Sequence, residues 1–89
     1  MDSSSLNRLR LECELVACSQ RSDPMSNKAA VVAAYGLLVR PCDERVLRVI
    51  HTCLDRIEDR ASDCRTSGPY VYTVWDDVWH MCRIARRRL

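Results

Sequence analysis

Six cysteines and two histidines in 89 residues are the side chains best able to bind a metal, cross-link or attack as nucleophiles. The cysteines are Cys13, Cys18, Cys42, Cys53, Cys64 and Cys82, and no two have the Cys-x-x-Cys spacing of a zinc ribbon or a thioredoxin-like site. The closest groupings are His51-Thr52-Cys53 and His80-Met81-Cys82. Together they contain four candidate zinc ligands, but residues i and i+2 of a helix point about 200° apart. One ion would therefore take a single member of each pair, with Cys13 as a third ligand. That arrangement is unlike recurring structural sites, so the expectation is no metal and no cofactor. The start, Met1-Asp2-Ser3-Ser4-Ser5, lacks the basic segment and apolar run of a secretory signal. An intracellular setting, cytoplasm or nucleus, is expected, with the thiols reduced. Cys13, Cys53 and Cys82 each lie on an apolar stripe, where a free cysteine packs as a small hydrophobe.

Catalysis finds little support. Two glycines cannot build a Gly-rich phosphate loop, and neither a G-x-S-x-G elbow nor an H-E-x-x-H pair occurs. Asp55, Glu58, Asp59 and Asp63 alternate with Arg56 and Arg60, which reads as a solvated helix face rather than an acid/base pair. A non-enzymatic protein with no evident small-molecule substrate is expected.

Binding has better candidates. Trp75 and Trp79 share one helix face, with Tyr72 a turn earlier and Arg83 a turn later. Trp79 falls at the edge of the apolar stripe, and tryptophan is enriched at interface hot spots. Tyr72, Trp75, Trp79 and Arg83 are thus the expected partner-binding residues. Arg83, Arg86, Arg87 and Arg88 form the chain's main charge cluster, within a basic tail at 83–89, and offer an alternative nucleic-acid or nuclear-import patch. A net charge of +2 is small for a dedicated nucleic-acid binder.

These residues need a scaffold, and 47% apolar with 29% charged composition suits one soluble domain. The longest apolar run, Ala29 to Val39, is too short to span a membrane, which takes about twenty residues. Leu6, Leu9, Cys13, Val16 and Ala17 trace one stripe of a helix over 5–20. Asp23-Pro24 reads as the cap and first residue of a second helix, 24–39, apolar nearly all round in its second half and so expected to be central. Gly36 within it marks a close helix approach. Leu47, Ile50, Leu54, Ile57 and Ala61, widened by Val46 and Cys53, define a third helix over 43–62, with Asp43 and Glu44 in its first turn and Glu44 pairing with Arg48.

The β-rich Tyr70–Val74 segment leaves strand and helix both open, but Val71, Trp75, Val78, Cys82, Ala85 and Leu89 recur at helical spacing. A fourth helix over 70–87 follows. The fold class is all-α: a small four-helix antiparallel bundle or a related compact helical domain.

Two further features bear on function. Thirteen of the fourteen basic residues are arginine and phenylalanine is absent, a bias of GC-rich coding DNA that suits a viral or high-GC bacterial source. The segment Leu9-Arg10-Leu11-Glu12-Cys13-Glu14-Leu15-Val16-Ala17 resembles the short Leu-x-x-x-Cys-x-x-x-aliphatic box through which substrate receptors hold elongin C in ubiquitin ligases, with Arg8 where that box has a small residue or proline. No site residue is taken from it. The expected function is a helical protein-interaction module, a viral accessory or regulatory protein being one such case, that binds a partner protein or forms a homo-oligomer.

Overall fold

The computed structural model describes residues 3–66 and 72–89, which form four helices: α1 (Ser3–Ser19), α2 (Pro24–Leu38), α3 (Glu44–Arg65) and α4 (Tyr72–Arg86). No strand occurs among the described residues. Tyr72–Val74 is helical, while Tyr70 and Val71 lie outside the described residues. No described helix is long and apolar enough to cross a membrane.

Local chemistry fixes the helix starts. Asp23 Oδ2 accepts from the Ser26 amide at 2.8 Å, and Pro24 occupies the first turn of α2, where a missing N–H costs nothing. Asp43 Oδ1 accepts from the Val46 amide at 2.8 Å. Asp43 is thus the cap of α3 rather than part of its first turn, which Glu44 occupies. The expected Glu44–Arg48 pair does not form; Glu44 and Arg48 are both exposed, where such a pair is worth only a few tenths of a kcal/mol.

α1 with α2 and α3 with α4 make two antiparallel hairpins that pack side by side. Glu12 meets Arg45 and Ser19 meets Cys53, so α1 runs parallel to α3. Lys28 meets Asp77 at 3.6 Å and the Tyr35 hydroxyl donates to the Met81 carbonyl at 3.2 Å, so α2 runs parallel to α4. α2 touches all three other helices, as its apolar second half requires, whereas α1 and α4 stand diagonally opposite.

Helices contribute unequally to the core. α3 supplies Val46, Ile50, Cys53, Leu54, Ile57 and Ala61, the stripe read from its spacing except for Leu47, which is half-buried. α4 supplies Trp75, Val78, Cys82 and Ala85. From α1 only Leu15 is fully buried among the apolar residues, with Leu11 half-buried beside it. The stripe expected to be internal faces outward instead: Leu6 is 54% and Leu9 51% exposed, Cys13 and Ala17 are exposed and Val16 is half-buried.

The reason lies in what α1 meets. On α2, Gly36 lets the Leu11 side chain of α1 approach closely, and Leu15 on the same edge of α1 is fully buried. A Cβ on Gly36 would stand 3.0 Å from Leu11 Cδ1, the close helix approach expected at that point. Polar contacts to the α3 side then fix the rotation of α1. Arg8 Nη2 donates to Cys42 Sγ at 3.2 Å, and the Arg45 guanidinium grips Glu12 at 2.5 and 3.0 Å. That grip holds the Glu12 carboxyl below its ordinary range.

A buried polar knot ties the hairpins together. Asn27 is fully buried, and its Nδ2 donates to the carbonyls of Arg21 at 2.9 Å and Asp23 at 2.7 Å. Its Oδ1 accepts from Arg60 Nη1 at 2.6 Å, which also donates to the Ser19 carbonyl at 3.0 Å. The Asn27 amide is therefore engaged at both ends, as burial demands.

Candidate protein-interaction surface

The residues expected on the binding face of α4 are mostly turned inward or engaged. Tyr72 opens α4, but its side chain lies outside the described residues. Trp75 is 4% exposed and belongs to the core. Trp79 is half-buried, with the Arg65 guanidinium carbon 3.9 Å and that of Arg83 4.8 Å from its ring centre and His80 edge-on at 5.0 Å. Two cations on one indole leave little face for a partner.

The arginines of α4 are likewise held. Arg83 stands 3.7 Å from Glu58, and Arg86 pairs with both Asp55 and Glu58. Arg65 reaches across from α3 to Asp76 at 2.6 Å, and His80 lies 3.5 Å from the same carboxylate. Of the four arginines assigned to a nucleic-acid patch, Arg83 and Arg86 are thus neutralised by the carboxylates of α3. Arg87 is exposed, and Arg88 lies 5.7 Å from the centre of the Tyr35 ring.

The thiols divide by position. All six are free. Cys53 and Cys82 are buried, but Cys13 is exposed, because it sits at the centre of the outward stripe of α1. Burial, reinforced by Glu58 and opposed by Arg86, pushes the Cys82 thiol up to about 12. His51 and His80 are both exposed, on different helices from Cys13. Among the described residues no three His, Cys, Asp or Glu side chains come together as a metal site.

A surface that sequence reasoning placed in the core is therefore the open one. Leu6, Leu9, Cys13, Val16 and Ala17 form a continuous apolar band along α1. Towards α3 the band descends into a shallow groove where Val16 and Gln20 face Val49, Thr52 and Cys53, with Arg48 and Arg56 on the far bank. Leu9, Cys13 and Ala17 line a second depression along the same face. Met25 and Val32 of α2 and Val39 at its C-cap are also exposed, but single residues seven apart make a thinner line.

The missed signal was present in the letters. Leu11 and Leu15, four apart, form a second apolar edge of α1, nearly opposite the band. A helix with two apolar faces has one to spare after packing. Comparison of the chain with known proteins gives no match among family models, curated proteins or solved structures.

Proposed function

We propose that this domain is a non-enzymatic helical protein-interaction module whose binding face is the outward band of α1 and the adjoining groove, rather than the aromatic face of α4. One observation carries this reading: Leu6, Leu9, Cys13 and Ala17 are exposed together on a helix that already has another apolar edge packed against α2. Contiguous apolar surface on a small domain marks a site of association. The same face holds Leu9, Cys13 and Ala17, the positions that carry the resemblance to the elongin C-binding box. The nucleic-acid reading has less behind it, since Arg83 and Arg86 are paired internally.

The test is site-specific cross-linking. A photoreactive residue at Leu9, introduced into the full chain in cells that express it, is expected to trap a second polypeptide, while the same residue at Asp63, exposed on α3, traps none. Equal yields at the two positions would contradict the assignment.

A further inference from the structure

α3 carries five arginines, and their pairing is not random with respect to the groove. Arg45 is held by Glu12, Arg60 by Asn27 and the Ser19 carbonyl, and Arg65 by Asp76. Arg48 and Arg56, the two on the groove's bank, are exposed and have no ion-pair or hydrogen-bond partner among the described residues. On the opposite flank of the apolar band, Arg10 is exposed and unpaired in the same sense. Glu12, which lines the adjoining depression along α1, is paired with Arg45. An apolar floor thus lies beside two arginines, and no carboxylate lines that groove among the described residues.

Spacing narrows the ligand. Arg48 and Arg56 stand eight residues apart, about 12 Å along one side of α3. The apolar band from Leu6 to Ala17 runs for about 17 Å at 1.5 Å per residue, the length of three helical turns. Those dimensions suit a helix laid along the groove, its apolar edge on Leu9, Cys13 and Val16 and its flank towards α3.

We propose that the groove binds an amphipathic helix of a partner protein that carries acidic side chains seven or eight residues apart on the flank facing Arg48 and Arg56. This rests on the interaction reading above and adds the partner's charge and form. A second copy of the chain fits less well, because its own α1 brings Arg10 as well as Glu14 to the band's flank and would set arginine against the arginines of α3.

The test uses a displayed library of 18-residue helices, with leucine fixed on one edge and Glu, Gln or Lys randomised at the flanks. It is selected on the full native chain, on Arg48→Glu/Arg56→Glu and on Leu9→Glu, with circular dichroism showing that each is folded. Native protein is expected to enrich Glu at two flank positions seven or eight apart, and the charge-reversed protein to enrich Lys there. The selected acidic helix should bind native chain at least tenfold more tightly than the reversed variant, less so at high salt, and Arg87→Glu should leave its affinity unchanged. Enrichment without charge bias, or a Glu bias that survives the reversal, overturns the acidic partner and leaves the α1 face as an interaction surface. Binders indifferent to Leu9→Glu, or no binders from native chain, overturn both. A native dimer in light scattering that Leu9→Glu splits into monomers also overturns the proposal, by giving the face to a second copy.

Discussion

α1 and α4 stand at opposite corners of the bundle and treat their apolar residues in opposite ways. In α4 one stripe, Trp75, Val78, Cys82 and Ala85, is wholly internal, and the polar side is tied to α3 through Arg83, Arg86 and Asp76. α1 has two apolar edges and buries only the Leu11–Leu15 one, leaving the broader band to solvent. On α4, Trp75 is buried, and Trp79, Arg83 and Arg86 are engaged by other residues of the chain. The ordinary aliphatic residues of α1 are the free surface. Residue type alone therefore says little about which face is left open, and the deciding quantity is whether another part of the same chain already satisfies the group.

The sharpest way to break this contrast is truncation on each side of it. Trp75→Ala empties a large core volume and is expected to cost about 3–5 kcal/mol, enough to unfold much of a domain this small. Leu9→Ala removes a side chain that packs on little, so its cost should stay within about 0.5 kcal/mol. Urea denaturation of the two variants measures both, and equal losses would mean that the α1 band is covered in the native protein.

A smaller effect tests what holds α1 in place while its outer face is bare. Asn27→Ala removes the side-chain partner of the Arg21 carbonyl and leaves Arg60 only the Ser19 carbonyl, with an expected loss of about 1–3 kcal/mol. Hydrogen exchange should show that loss as earlier opening of α1 than of α4. Synchronous opening would indicate that the knot is not specific to the α1 hairpin.

On the α4 side, pH gives a signature. The Cys82 thiol ionises near 9 when the chain is unfolded but only at about 12 in the native state. Between those values the unfolded chain releases a proton that the native one keeps, so stability falls as pH rises through this window and is unaffected by Cys82 below it. Stability measured from pH 8 to 10.5 should decline more steeply for the native sequence than for Cys82→Ala. Parallel slopes would argue that Cys82 is solvated.

The smallest expected change is at Gly36→Ala. Helix propensity favours alanine by about 1 kcal/mol, while the new Cβ needs Leu11, a half-buried and flexible side chain, to shift from 3.0 Å. Such an off-rotamer adjustment costs about 0.5–1.5 kcal/mol, so the two nearly cancel. A melting temperature within a few degrees of native is expected, and a large fall would show that the α1–α2 contact is far more rigid than the exposed band suggests.

How much of this was legible in the letters depends on how many solutions each helix allowed. α3 has a single stripe, Ile50, Leu54, Ile57 and Ala61, and its burial follows from spacing alone. The Asp23-Pro24 start was equally local. α1 offered two stripes, and the choice between them depends on Gly36 of α2 and on Arg45 and Cys42, none of which is near α1 in sequence. The Trp79 and arginine readings failed to anticipate Arg65, Glu58 and Asp55 for the same reason. Periodicity finds a helix's faces; the partner across the bundle decides which face is left over.

Thiol mapping tests the inversion most directly, because Cys13 lies at the centre of the α1 band and Cys82 on the inner stripe of α4. Native protein at low concentration is pulsed with iodoacetamide and each cysteine's modification is followed by mass spectrometry. Cys13 is expected to label at nearly the rate of the unfolded chain, whereas Cys53 and Cys82 should label only as the protein unfolds. Protection of Cys13 equal to that of Cys82 would contradict an open binding face on α1.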